Sequence, residues 1–134
     1  MPDAVTSDTL ADGDRNLIMH FTNLSDSTGE AAVTKVDVSA LNAHSGTGST
    51  PASVAIKKIE FANSGMKVQV LWDATTDTVA AILPEGEGCL DFTTAPLQSS
   101  AGAGETGDIK FTTVGHAAND SYDVKLHLIK KYAA

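Results

Sequence analysis

The chain has 134 residues, of which 42% are hydrophobic, and a formal net charge of −8, with 9 Lys and Arg against 17 Asp and Glu. This length suits one domain, because two smaller cores would each be too small to be stable. The acidic balance argues against coating nucleic acid or binding anionic lipid, since both roles need a basic face. We therefore expect no nucleic-acid partner and no membrane partner.

The sequence also lacks the patterns of a membrane anchor or an export signal. Its longest uncharged apolar stretch, Val79–Pro84, is far shorter than the roughly 20 residues that cross a bilayer. The first residues have no basic region followed by an apolar one, so we predict no secretory signal peptide. Cys89 is the only cysteine. It excludes an internal disulfide, and we predict a small buried side chain on a strand.

The first predicted elements are an arm and a strand. Residues 1–14 are polar and acidic without periodicity, which predicts an N-terminal arm that is ordered only where something holds it. In Arg15–Thr22, the side chains of Leu17, Met19 and Phe21 alternate toward one face. This alternation predicts a half-buried strand.

A turn, a short strand and a loop follow. Residues 23–30 are rich in Ser, Asp, Thr and Gly, which favour a turn. Residues 32–38 are expected to form a strand that points Thr34, Val36 and Val38 toward the core. The Gly-, Ser- and Thr-rich segment 41–52 predicts an exposed loop.

The next strand, 53–61, changes phase along its length. Val54 and Ile56 point inward, and after the pair Lys57–Lys58 the inward side chains become Ile59 and Phe61. A one-residue slip moves every side chain to the other face of a strand. We therefore predict either a β-bulge at the lysine pair or a strand that changes sheets there.

The remaining segments continue the same strand-and-turn pattern. Short strands are predicted at 66–73, 78–83, 89–93, 109–114 and from 122 onward, separated by a tight connection at 63–65, turns at 73–77 and 115–120, a hairpin turn at 84–88 and a low-complexity loop at 95–107. About eight strands at this spacing indicate an all-β fold. We predict a single-domain antiparallel β-sandwich or jelly roll over 15–134, preceded by the arm 1–14.

No residue pattern indicates catalysis or a cofactor. The four histidines, His20, His44, His116 and His127, show no metal-ligand spacing, and the two on strands fall on the polar face. Asp12-Gly13-Asp14 resembles only the start of a calcium loop. Asp73 and Asp77 are expected to accept backbone hydrogen bonds of their turn. The aromatic side chains are expected to fill the core. We therefore predict no enzyme, no cofactor and no metal.

Three stretches of this chain resemble a family of tailed-bacteriophage virion proteins found in marine and freshwater phages, cyanophages among them. They are GDRNLIMHFTNLSDSTGEAAVTKVDVSAL, VLWDATTD and GETGDIKFTTVGH, and the resemblance runs from Asp12 to Lys131. The chain departs from the family pattern in its 41–52 loop and in PEGEGCLDF. The resemblance brings no catalytic residues with it.

The resemblance implies a structural protein of the virion, made in the host cytoplasm. The favoured role is a capsid decoration (cement) protein that binds the outside of the major capsid shell and forms a trimer or dimer there. A neck, tail or fibre-base component, or a module that binds host-surface carbohydrate, remains an alternative. The residues expected to contact partners are Asp3, Val5, Leu10, Arg15, His44, Thr50, Gly102, Gly104 and Glu105. Arg15 is the only arginine, and its guanidinium is expected to anchor the arm, within the fold in preference to a neighbour.

Overall fold

The structure is a computed structural model, and it describes residues 4–26, 30–98, 106–115 and 117–132. These residues contain nine strands and one short 3-10 helix. They are β1 (Ala4–Asp12), β2 (Asn16–Asp26), β3 (Val33–Val36), the 3-10 helix (Val38–Ala40), β4 (Pro51–Ser64), β5 (Lys67–Trp72), β6 (Thr78–Leu83), β7 (Gly86–Asp91), β8 (Ile109–Val114) and β9 (Ala118–Tyr132). No helix in this part of the chain has the length and apolar character needed to cross a membrane.

The strands form two antiparallel sheets, which confirms the predicted all-β sandwich. One sheet has the order β1-β2-β9-β4-β7 and the other has the order β3-β8-β5-β6. Only β1–β2 and β5–β6 are consecutive strands that pair with each other. Every other connection crosses from one sheet to the other. These repeated crossings hold the two sheets face to face.

The core lies between the two sheets and takes apolar side chains from both. Leu17, Phe21, Ile59, Val124 and Leu126 come from the larger sheet, and the smaller sheet adds Val68, Val70, Trp72, Leu83, Ile109 and Phe111. The rings of Phe21 and Phe111 meet edge to face, with centroids 5.3 Å apart. Trp72 is 3% exposed, which agrees with the expectation that the aromatic side chains fill the core.

The predicted β-bulge in β4 is confirmed. The pairing register between β4 and β9 shifts between Ile56 and Lys58, so Lys57 is the extra residue. Val54 and Ile56 before the shift and Ile59 after it are all buried. The bulge thus keeps both halves of the strand facing the core.

A second bulge, in β3, overturns the predicted inward face of that strand. The register between β3 and β8 shifts between Thr34 and Val36. Thr34 is exposed, whereas Lys35 and Val36 are both buried. The prediction for Thr34 was therefore wrong, because a bulge rotates Lys35 into the interior.

Three further predictions about local structure were wrong. Residues 23–26 continue β2 and form no turn, and Asn23 and Ser25 stay on its buried face. The segment 84–88 does not close a hairpin, since β6 and β7 lie in different sheets and β7 pairs with β4. The predicted burial of Cys89 was also wrong: its side chain is exposed, because it lies opposite Glu60 on the outer face of this edge strand.

Most of the predicted arm lies in β1. This strand pairs with β2 from Ala4 to Asp12, with a register shift at Leu10. Residues 5–11 are exposed, because β1 is an edge strand whose side chains face no second sheet. That position accounts for the polar sequence without periodicity.

Candidate interaction surface

One end of the sandwich gathers several connections, and we call it the loop end. It comprises the turn 13–15, the loop 41–50 and the segment 106–108. The carboxylate of Asp14 accepts hydrogen bonds from the backbone N–H (2.8 Å) and the hydroxyl (2.5 Å) of Ser45. These two bonds are the main reason that the pKa of Asp14 lies below its usual value. Asp14 therefore ties the turn to the loop.

The buried side chain of Lys130 joins the end of β1 to the loop 41–50. Lys130 on β9 donates from Nζ to Oδ1 of Asp12 and to the carbonyl oxygen of Asn42, the latter at 3.0 Å. Asp12 in turn accepts the backbone N–H of Asn42 at 3.0 Å. The side chain of Lys130 is fully buried. This ion pair holds the end of β1 against the loop and the last strand.

His44 gives the loop its internal order. Its Nδ1 accepts the backbone N–H groups of Gly46 (3.0 Å) and Thr47 (3.2 Å). Its ring meets Tyr132 edge to face, with centroids 5.4 Å apart. Thr50 leads directly into Pro51, which is the pairing partner of Tyr132. The tip of the loop is thus exposed, while its base is fixed.

A further cluster of charged and hydroxyl side chains lies at the loop end of the smaller sheet. Lys110 on β8 lies 2.8 Å from Oδ1 of Asp73 and 3.4 Å from Oδ2 of Asp77. The Thr106 hydroxyl donates to Asp73 at 2.7 Å. The hydrogen bond from Lys110, followed by that from Thr106, lowers the pKa of Asp73, and Asp73 raises the pKa of Lys110. Asp77 also accepts the backbone N–H of Ala74 at 3.1 Å, which confirms the predicted role of Asp77 in its turn.

The structure brings together some of the predicted contact residues. Arg15, His44 and Thr50 share the loop end, and Leu10 lies near it on the β1 bulge. Val5 is near the opposite end of β1. The other predicted contacts, Asp3, Gly102, Gly104 and Glu105, lie outside the described residues.

Among the residues that the structure describes, the guanidinium of Arg15 does not anchor the arm within the fold as predicted. Within the described ranges its side chain is exposed and has no carboxylate partner. Its backbone carbonyl accepts the N–H of Lys130 at 2.7 Å. The anchor that the sequence assigned to Arg15 is supplied by Lys130, whose inward position continues the alternation of buried residues along β9.

The outer face of the larger sheet carries two histidine–carboxylate pairs. His20 lies 2.7 Å from Asp123, and His127 lies 2.7 Å from Glu60. The bond from His127 is the main reason that the pKa of Glu60 lies below its usual value.

Beside these two pairs is a shallow depression of about 540 Å³ lined by Glu60, Phe61, Ala62, Glu87, Gly88, Cys89, Asp123 and Lys125. In the part of the chain that the structure describes, no three His, Cys, Asp or Glu side chains are arranged to hold a metal ion.

A buried polar cluster at the opposite end was missed by sequence reasoning. Asn23, Glu30 and Lys35 are each at least 91% buried, and Glu30 contacts both of the others. The alternation of Leu17, Met19 and Phe21 continues to Asn23, so the inward position of Asn23 was available from the sequence. The positions of Glu30 and Lys35 depend on a bulge and on contacts between sheets.

Comparison with known proteins gives no match for this chain, whether with protein-family models, with curated proteins or with solved structures.

Proposed function

We propose that this chain is a non-enzymatic structural protein of a tailed-phage virion, a capsid decoration protein that binds the outer surface of the major capsid shell and stabilises it. The observation that carries the proposal is the strand order. From the orders β2-β9-β4-β7 and β3-β8-β5-β6 we infer a jelly roll built from two four-stranded sheets, an architecture of viral capsid and lectin domains. The resemblance of three sequence stretches to phage virion proteins supports the same role.

The loop end is the surface that we assign to the shell. Its exposed tips are built from small polar residues, and its base is held by the contacts of Asp12, Asp14 and Lys130. A fixed base limits the conformational entropy that a loop loses on binding. Many identical contacts of modest strength on one particle give high overall avidity.

The smaller sheet supports contact between copies of the chain. Its edge strand β6, with the sequence TVAAIL, carries no charge and exposes Val79 and Ile82. Unpaired strand edges are templates for pairing with another strand. A chain with a net charge of −8 repels its own copies least at such an uncharged edge. We place the dimer or trimer contact there.

The burial of the aromatic side chains does not favour the carbohydrate-binding alternative. A sugar platform needs aromatic rings on an exposed face, whereas Trp72, Phe21 and Phe111 are in the core. The tail or neck alternative differs from decoration only in where the protein sits on the particle. A binding experiment with isolated shells separates the two.

The test uses shells assembled from the major capsid protein of the phage that encodes this chain, mixed with purified protein and sedimented. We expect saturable binding, weakened roughly tenfold (about 1.4 kcal/mol) by Thr50→Trp at the loop end. The matched control is Ser64→Trp, an exposed residue at the other end of β4, which should bind like the original chain. If the protein did not sediment with the shells, the decoration role would be contradicted. If both variants bound equally well, the assigned surface would be contradicted.

A further inference from the structure

A lysine, an asparagine and a glutamate meet inside the sandwich at the end opposite the loop end. Glu30 lies between the other two. Its Oε2 is 2.5 Å from Nζ of Lys35, and its Oε1 is 3.0 Å from Nδ2 of Asn23. One carboxyl group therefore contacts both an amine and a carboxamide. Asn23 is on β2 of the larger sheet and Lys35 is at the bulge of β3 of the smaller sheet.

The position of Glu30 is fixed by its backbone and by a tyrosine. Its N–H donates to the hydroxyl of Thr113 at 2.8 Å, and its carbonyl accepts the Thr113 N–H at 2.9 Å. The phenol of Tyr122 donates to Oε1 at 2.5 Å. These contacts aim the carboxyl group at the space between the two sheets.

Aromatic rings enclose the cluster and keep it from water. Lys35 Nζ lies 6.0 Å from the ring centroid of Phe111 and 5.9 Å from that of Tyr122. The side chains of Lys35 and Glu30 are 3% and 6% exposed. Burying an ion pair costs several kcal/mol per ion unless its geometry offsets the loss of hydration. Conversion of the pair to neutral groups removes that cost.

We propose that Lys35 and Asn23 become joined by an isopeptide bond between Nζ and Cγ, with Glu30 carrying the protons. Water exclusion favours this reaction because hydrolysis is the competing fate of an activated carboxamide. The amine, the carboxamide and the proton carrier are held together by the fold, which replaces a bimolecular encounter with an intramolecular one.

The reaction needs no other reagent. The ammonium proton of Lys35 passes to Glu30, and a half-turn of the Asn23 amide lets its Oδ1 accept a hydrogen bond from the protonated carboxyl group. The lone pair of Nζ attacks Cγ, and the C=O electrons move to Oδ1. Glu30 takes a proton from the attacking nitrogen after giving one to Nδ2. The Cγ–Nδ2 bond then breaks as the carbonyl re-forms. Ammonia leaves and takes the remaining proton from Glu30 to become ammonium, Glu30 is again a carboxylate, and nothing is oxidised or reduced.

The bond would tie the two sheets covalently near one end. It would also close the chain from residue 23 to residue 35 into a ring, which restricts the unfolded state in the manner of a disulfide. Unlike a disulfide, it forms without an oxidant, which suits a chain with one cysteine. The inference depends on the cluster alone and not on the proposed role in the virion.

The test is the intact mass of the purified, folded full-length chain. We expect it to be lower than the mass of the sequence by one ammonia molecule. Trypsin should fail to cleave after Lys35, so that residues 16–35 and 36–57 appear as one peptide, 16–57, that also lacks one ammonia. Fragmentation should link Asn23 to Lys35. A folded chain with the full sequence mass and normal cleavage after Lys35 would overturn the proposal.

Variants assign the roles within the cluster. Glu30→Gln keeps the shape of the side chain but cannot carry the protons, so it should retain the full sequence mass. Lys35→Arg removes the nucleophile and should give the same result. Asn63→Ala changes another buried asparagine and should still lose ammonia. Loss of ammonia in Lys35→Arg would place the modification elsewhere and contradict the proposed bond.

Discussion

Leu83 and Ile82 are neighbours on β6 that face opposite sides of the smaller sheet. Leu83 is fully buried, whereas Ile82 is 53% exposed. We expect Leu83→Ala to lower the free energy of unfolding by about 2–5 kcal/mol, because it removes core contacts and leaves a cavity. Urea denaturation followed by Trp72 fluorescence measures the change.

The matched control for this prediction is Ile82→Ala, measured on monomeric protein because Ile82 lies at the proposed contact between copies, and it should alter stability by no more than about 0.5 kcal/mol. Equal losses for the two variants would mean that β6 does not pack its Leu83 side against the larger sheet.

The ion pair between Lys110 and Asp73 makes stability depend on pH. The pKa of Asp73 is lowered in the folded state, chiefly by the hydrogen bond from Lys110. Its contribution is therefore complete above the unfolded-state pKa and is lost as the pH falls through the folded-state value. The raised pKa of Lys110 has the opposite consequence, so the lysine contribution is lost only at high pH. The pair stabilises the fold from about pH 4 to about pH 10.

Asp73→Asn tests this dependence. Urea midpoints measured at several pH values should fall less steeply below about pH 4 in the variant than in the original chain, because one proton-linked group is gone. Parallel curves for the two proteins down to the acid transition would show that Asp73 does not contribute.

At the scale of the elements, Gly107 shows how a connection is constrained by its neighbours. Its φ is +87°, and a Cβ there would lie 2.3 Å from the carbonyl oxygen of Ala52. Gly48 has a similar φ of +73° but open space around it. Gly48→Ala should cost about 1–2 kcal/mol, the penalty of the left-handed conformation.

We expect Gly107→Ala to cost clearly more than Gly48→Ala, since it must also displace the backbone where β4 begins. Thermal unfolding of the two variants side by side provides the comparison. If Gly107→Ala lost no more stability than Gly48→Ala, the close approach of Gly107 to Ala52 would be contradicted.

The elements that the sequence predicted well are those whose side chains alternate over a full strand. β5 alternates around Val68, Val70 and Trp72, and the phase change at Lys57 identified the bulge in β4. Both signals are local, because the alternation of apolar and polar side chains within one strand shows which of its faces is buried. β7 has no such alternation. Cys89 is exposed because β7 is an edge strand, and that position depends on pairing with a strand distant in sequence. Thr34 was misplaced because the bulge in β3 depends on the pairing of β3 with β8.

The architecture as a whole was predictable only to its class. Turn spacing and alternation gave two antiparallel sheets, but the six connections that cross between the sheets leave no local signature. The same limit applies to the loop end. Composition identified the exposed loop at His44, whereas Arg15 was predicted to begin a strand. The contacts that bring the two segments together, through Asp14 and Lys130, join residues far apart in sequence. Burial of Glu30 with Lys35 also follows from the closed sandwich and not from either segment alone.

The proposed role depends on this whole-molecule arrangement, with the core closed between the sheets and the loop end free to meet the shell. Cryo-electron microscopy of intact particles of the phage that encodes the chain tests it most directly. We predict density fitted by the nine-stranded sandwich at every symmetry-equivalent position on the outside of the shell, with the loop 41–50 toward the capsid surface. Density for this chain confined to the neck, the tail or a fibre base would contradict the decoration role.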